Sequence, residues 1–80
     1  MTNYEILGQL QVIFRDVFDD DSLLIARKTS AVDIEDWDSL AQINLIVASE
    51  KQFKIKFSLE DLAILNNVGD MVDFVARELP

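Results

Sequence analysis

Residues 34–53 read IEDWDSLAQINLIVASEKQF, near the middle of the chain. Asp38 and Ser39 stand directly before a dense run of apolar residues. A short polar side chain at that place is typical of a helix N-cap, because its oxygen accepts a hydrogen bond from an unpaired backbone N–H of the first turn. Ser39 followed by Gln42 also matches a capping box. The stretch therefore predicts a helix over residues 38–52.

The apolar residues of this helix fall on two lines rather than one. One line is expected to face a core shared with the first helix: Leu45, Ile46 and Phe53. The other follows i, i+3, i+7 spacing: Leu40, Ile43 and Val47. A domain of 80 residues cannot bury both lines fully, so the second is expected to be a partly exposed contact surface.

Helical patterns flank this stretch on both sides. Apolar residues at spacings of three and four predict an amphipathic first helix over residues 3–18. Residues 19–37 lack such a period and predict a long structured loop. A serine capping pattern predicts a short third helix from Leu59 to about Leu65, and a last helix follows over residues 68–79. The expected fold is an all-α four-helix bundle in a single domain, residues 1–80, with a short third helix.

Two smaller expectations concern the first helix and the loop. Gly8 lies inside the first helix, where glycine lowers helix stability, and we expect it to mark a close helix contact. Four aliphatic residues are expected to hold the long loop against the helices: Leu23, Leu24, Val32 and Ile34.

Composition narrows the function. The chain has no cysteine and no histidine, which removes thiol nucleophiles, zinc–thiolate sites and every Ser-His or Cys-His arrangement, so we expect a protein that is not an enzyme and holds no metal. A net charge of −8 without a visible cluster of Lys and Arg disfavours nucleic acid and anionic lipid, and favours a basic protein partner. No apolar run reaches the about 20 residues that cross a membrane, and no secretion signal is visible. We expect a cytoplasmic monomer.

Asp38, Ser39 and Leu40 begin a helix near the middle of the chain. The chain as a whole is acidic, and predicted helices lie on both sides of this one. With these features the chain resembles the acyl carrier proteins over nearly its whole length. The resemblance implies a 4′-phosphopantetheine arm on the Ser39 hydroxyl, flanked by Asp38 and Leu40, with acyl cargo held as a thioester on the arm's thiol. It also implies a phosphopantetheinyl transferase as partner, together with acyl-transferring, condensing or ligase enzymes that carry basic or apolar docking patches.

The second helix departs from the pattern of many fatty-acid carriers, since it has few acids after Asp38. Recognition is therefore expected to depend on the exposed line and on nearby acids and one aromatic residue. The predicted partner contacts are Leu40, Ile43, Val47, Asp33, Glu35, Asp36, Glu50 and Phe57. Trp37 either packs at the start of the helix or lies along the arm.

Several functions stay open at this point. A carrier for fatty-acid synthesis and one for a specialised or polyketide-type pathway both fit the sequence. So does a free-standing aminoacyl or peptidyl carrier. A hypothesis from another class is an acidic helical adaptor that binds a basic partner and is never modified.

Overall fold

The computed structural model describes residues 1–79, which contain four α-helices. The helices are α1 (Asn3–Val17), α2 (Ser39–Phe53), α3 (Leu59–Ala63) and α4 (Val68–Glu78). The all-α bundle with a short third helix and a long connection between the first two is confirmed. A single 3₁₀ turn over Ala31–Asp33 inside that connection was not predicted.

Each α-helix begins at a side chain that accepts a hydrogen bond from a backbone N–H of the first turn. These caps are Thr2, Asp38, Ser58 and Asn67. Two of them form complete capping boxes, in which Glu5 and Asp61 accept the N–H of the cap residue, both at 2.9 Å. These hydrogen bonds favour the ionised carboxylates and lower the pKa of Glu5 and of Asp61.

The core lies where α1 packs against both α2 and α4. Fully buried side chains meet there: Ile6, Leu10, Phe14, Leu45, Val68 and Val75. The predicted inner line of α2, Leu45, Ile46 and Phe53, is buried as expected. The segment before α3 closes one end of this core through Phe57, whose ring stacks on Phe74 with 4.4 Å between centroids.

The long loop is fastened to α1 by two polar side chains. The Gln11 amide donates to the Leu23 carbonyl at 2.6 Å and accepts the Ile25 N–H at 3.0 Å, and Arg15 Nε donates to the same Leu23 carbonyl at 2.8 Å. Leu23 and Ile25 therefore face the core, and the residue between them, Leu24, faces solvent with 76% of its surface exposed.

The predicted set of loop anchors is thus half right. Leu23 and Ile34 pack against the core, as expected. The predictions for Leu24 and Val32 are wrong. Val32 is 92% exposed because it lies in the 3₁₀ turn, away from the core.

The loop is also fastened to the start of α4. The Arg27 and Thr29 carbonyls accept the N–H groups of Gly69 at 2.9 Å and Val68 at 2.8 Å. Arg27 forms an ion pair with Asp73 at 2.9 Å, and the Asp73 carboxylate raises the pKa of the Arg27 guanidinium. A Cβ atom at position 69 would lie 3.0 Å from the Arg27 carbonyl oxygen, so this close approach favours glycine.

Gly8 does not mark a close helix contact, contrary to expectation. It is exposed on α1, and a Cβ atom there would meet no heavy atom of a neighbouring element within 4 Å.

No helix within residues 1–79 is both long enough and apolar enough to span a bilayer. The cytoplasmic location and the single-domain extent stay predictions.

Candidate functional site at the start of the second helix

Asp38 caps α2 and places Ser39 as its first helical residue. The Asp38 carboxylate accepts the Ala41 N–H at 2.9 Å, and the Asp38 carbonyl accepts the Gln42 N–H at 2.9 Å. The alternative interpretation, a capping box between Ser39 and Gln42, is wrong. The Gln42 side chain instead accepts the Trp37 indole N–H at 2.7 Å, so it is drawn away from the cap.

Ser39 differs from the four other serines of the chain. Ser49 is fully buried and donates to the Leu45 carbonyl at 2.7 Å. The Ser22 hydroxyl donates to the Asp20 carboxylate. The Ser58 hydroxyl oxygen accepts the Asp61 N–H. Ser30 is half-buried, with its hydroxyl 3.5 Å from the Asp33 carboxylate.

The Ser39 side chain is exposed and makes no hydrogen bond to any of the described residues. Its hydroxyl is therefore the one that an approaching enzyme can reach without breaking an existing interaction. The first N–H groups of a helix lack partners within the helix, and together with the helix dipole they stabilise a negative charge placed beside them by about 0.3–1 kcal/mol. A phosphodiester on Ser39 would lie in that favourable field.

A groove of about 550 Å³ lies next to Ser39. A second groove, of about 590 Å³, lies at the other end of α2. The apolar walls of the groove next to Ser39 come from the loop, α2 and the region of α3: Ala31, Trp37, Ile43, Leu62 and Leu65. An exposed hydroxyl at a helix N-terminus beside an apolar groove fits a flexible arm attached through phosphate. The residues present thus agree with the group that the resemblance implies.

Trp37 packs at the start of α2, which confirms the first of its two predicted roles. Its ring meets Phe14 edge-on, with 5.3 Å between centroids and 82° between planes. One side of Trp37 also lines the groove beside Ser39, so the second role, contact with the arm, stays a prediction.

The predicted outer line of α2 is exposed. Leu40, Ile43 and Val47 have 67%, 57% and 44% of their surfaces accessible. We call these three residues the apolar stripe. The acidic residues at the Ser39 end of the stripe, Asp33, Glu35 and Asp36, are exposed as well.

Two other predicted partner contacts, Glu50 and Phe57, have roles within the fold. The Glu50 carboxylate accepts the backbone N–H of Phe57 at 2.9 Å, and the Phe57 ring stacks on Phe74. Both side chains therefore hold the segment after α2 in place. Their role as partner contacts stays a prediction.

Sequence reasoning overlooked one cluster of cations. Lys51, Lys54 and Lys56 line a single groove at the far end of α2, although no clustering of Lys and Arg was expected. The signal was present as KQFKIK over residues 51–56. The net charge of −8 describes the whole chain and does not show such a local cluster.

Comparison with known proteins agrees with this geometry. A family model described as "Phosphopantetheine attachment site" matches residues 9–75. The meromycolate extension acyl carrier protein of Mycobacterium leprae is 32% identical over 77 residues, which cover 96% of this chain and 67% of that protein. The acyl carrier protein of Acidothermus cellulolyticus is 30% identical, with 96% of this chain and 92% of that protein covered.

Solved structures show the same relationship. The solution structure of holo acyl carrier protein from Geobacter metallireducens is 53% identical, with a TM-score of 0.87 over 91% of this chain and 84% of that one. A second acyl carrier protein structure, from Mycobacterium tuberculosis, has a TM-score of 0.80 at 26% identity and covers 90% of this chain and 96% of that one. The chain belongs to the phosphopantetheine-binding family of acyl carrier proteins, which carry acyl groups and are not themselves catalysts.

Proposed function

We propose that Ser39 is the attachment residue and that the chain carries acyl groups as thioesters on a 4′-phosphopantetheine arm at its Oγ atom. The observation that supports this most strongly is the difference between Ser39 and the other serines. Ser39 combines an exposed hydroxyl without a hydrogen bond, a helix N-terminus and an adjacent apolar groove.

The arm supplies the thiol that the chain itself lacks, since the protein has no cysteine. The chain's own residues position and protect it. Asp38 fixes the first turn of α2 and thereby the backbone position from which the Ser39 side chain projects. Attachment would join the phosphorus of the arm to Ser39 Oγ as the phosphoanhydride bond of a nucleotide-linked donor breaks, so that the nucleotide phosphate leaves and the hydroxyl proton passes to the transferase. The helix N-terminus then stabilises the new charge, and the groove shelters apolar parts of the arm from water.

We propose that enzymes dock on the apolar stripe, assisted by the acids of the preceding loop. Acyl carrier proteins as a family interact with phosphopantetheinyl transferase and acyl-handling enzymes. Exposed aliphatic side chains next to the attachment residue offer such enzymes apolar contact area, and Asp33, Glu35 and Asp36 offer charge to a basic patch. The shortage of acids along α2 supports a larger share for the stripe.

We further propose that the cargo belongs to acyl-chain or polyketide-type biosynthesis and that the protein acts as a monomer in a single carrier domain. Relatives named for meromycolate extension favour chain extension over peptide assembly. The aromatic Trp37 beside the attachment residue supports a dedicated carrier for a specialised pathway.

The test is intact mass after co-expression with a phosphopantetheinyl transferase. The wild-type chain should gain the mass of one arm, and Ser39→Ala should gain none while keeping its helical circular dichroism. Ser58→Ala is the matched control. It removes a serine hydroxyl at another helix start, costs about 1 kcal/mol of stability as a lost cap, and should still load fully.

Two results would contradict the proposal. An arm on the Ser39→Ala protein would show that another residue is modified. A folded wild-type protein that never gains the arm, tested beside a carrier that does, would instead favour the unmodified adaptor.

A further inference from the structure

The end of α2 that is farthest from Ser39 carries a positively charged surface, whereas the residues before Ser39 are acidic. A groove of about 590 Å³ lies there, bounded by Val47, Glu50, Lys51, Lys54, Ile55 and Lys56. Ile55 forms an apolar floor, with only 7% of its surface exposed. The three lysines at its rim are all exposed. We call this surface the basic groove.

The lysines of the basic groove make no ion pair with the described residues. The ion pairs of residues 1–79 all use arginine, namely Arg27 with Asp73 and Arg77 with Asp61 and Glu78. Glu50 also lines the groove, and its carboxylate, which accepts the Phe57 N–H, offsets one of the three positive charges. The groove is therefore a locally cationic site on a chain whose net charge is −8.

Helix stability explains only part of this arrangement. Lys51 lies in the last turn of α2, where a cation complements the helix dipole. Lys54 ends the helix in a left-handed conformation with φ of 57°, and Lys56 lies beyond it, so the dipole gives Lys56 no comparable role. The left-handed residue turns the chain so that Lys54 and Lys56 line the same groove as Lys51.

We propose that the basic groove docks an acidic segment of a partner protein, which extends the docking function proposed above. Charge complementarity favours carboxylates, and the apolar floor favours a segment that also carries aliphatic side chains. A protein surface of mixed charge can place a few acids in the groove, whereas a polyphosphate chain or an anionic membrane would be repelled by the acidic remainder of the molecule. Val47 belongs to both the apolar stripe and the basic groove, so the two surfaces are continuous.

The position of the groove relative to Ser39 predicts how positive and negative charge are arranged on the partner. A helix rises about 1.5 Å per residue, which separates Ser39 from the end of α2 by about 20 Å. A matching partner is basic where it faces Asp33, Glu35 and Asp36 and acidic about 20 Å away, near the groove. Docking in the reverse direction would oppose like charges at both ends, so the two surfaces together fix how a partner sits along α2.

The experiment is a nuclear magnetic resonance titration of the ¹⁵N-labelled protein with two synthetic peptides. One alternates glutamate with leucine, and the other has lysine in place of glutamate. The glutamate peptide should shift the amide signals of Lys51, Lys54, Ile55 and Lys56. The triple variant Lys51→Gln, Lys54→Gln, Lys56→Gln should weaken that binding at least about threefold at low salt, because each exposed charge pair contributes a small factor. Lys28→Gln, which removes an exposed lysine elsewhere, should leave it unchanged.

Three outcomes would overturn the proposal. These are shifts from the glutamate peptide that map away from the groove, equal affinity of the triple variant, and tighter binding to phosphatidylglycerol vesicles than to the peptide. The titration needs neither an arm nor a transferase. Failure of Ser39 loading would therefore contradict the attachment proposal alone, and failure here would contradict the basic groove alone.

Discussion

Two isoleucines three residues apart on α2 offer a direct test of the docking surface. Ile43 belongs to the apolar stripe and is 57% exposed, whereas Ile46 faces the core and is 7% exposed. The same substitution by glutamate should therefore have opposite consequences. Ile43→Glu should keep the fold and weaken enzyme docking. Ile46→Glu should destroy the fold.

The magnitudes follow from burial. A fully buried isoleucine contributes about 1.5–3 kcal/mol, and a carboxylate forced into its place costs several kcal/mol more. A domain of this size is stabilised by about 4–12 kcal/mol in total, at ~0.05–0.15 kcal/mol per residue, so Ile46→Glu removes most or all of it. At Ile43, surface substitutions typically change stability by under ~0.5 kcal/mol. Loss of a central interface contact of about 1–2 kcal/mol would lower kcat/KM for transferase loading roughly 5- to 30-fold.

The assay combines urea denaturation, followed by circular dichroism, with the rate of arm loading measured by intact mass. Val12→Glu is the control, since it puts the same charge in place of an aliphatic side chain of similar exposure, 65%, on α1. It should load at close to the wild-type rate. Unfolding of Ile43→Glu, or loading of that variant as fast as Val12→Glu, would refute recognition by the apolar stripe.

Two further predictions concern stability. Gly8→Ala should raise the free energy of unfolding by about 0.5–1 kcal/mol, because alanine favours the helix and its methyl group meets open space; thermal denaturation checks this, and an unchanged or lower melting temperature would contradict it. The pKa of Asp61 is lowered in the folded chain, so its contribution is present above its usual pKa and is lost as the pH falls below about 4. Asp61→Asn should therefore be less stable than wild type at pH 7 and lose less stability on acidification, as measured by urea midpoints; parallel pH profiles would show that the capping box has no such role.

Local signals explain what the sequence predicted well. The caps at Asp38, Ser58 and Asn67 each depend on a side chain and an N–H three residues later, so a short window contains the whole interaction. The exposure of the apolar stripe also follows from helical spacing within α2 together with the small size of the domain.

The errors arose where distant residues decide the local structure. Leu24 faces solvent because Gln11, on another element, fixes the residues on either side of it. The Gln42 side chain forms no capping box with Ser39 because its oxygen accepts the Trp37 indole N–H. That indole is in turn held in place against Phe14. Neither outcome can be found by counting residues along the chain.

The hydrogen bonds from the start of α4 to the long loop make two amides into natural reporters. The N–H groups of Val68 and Gly69 donate to loop carbonyls of Thr29 and Arg27, and both reporter residues are buried. Their protons can exchange with solvent deuterium only when the loop leaves α4, even while the rest of that helix stays intact. Hydrogen exchange at these two positions, compared before and after arm attachment, therefore measures how firmly the segment that leads into Ser39 is held in each state of the carrier.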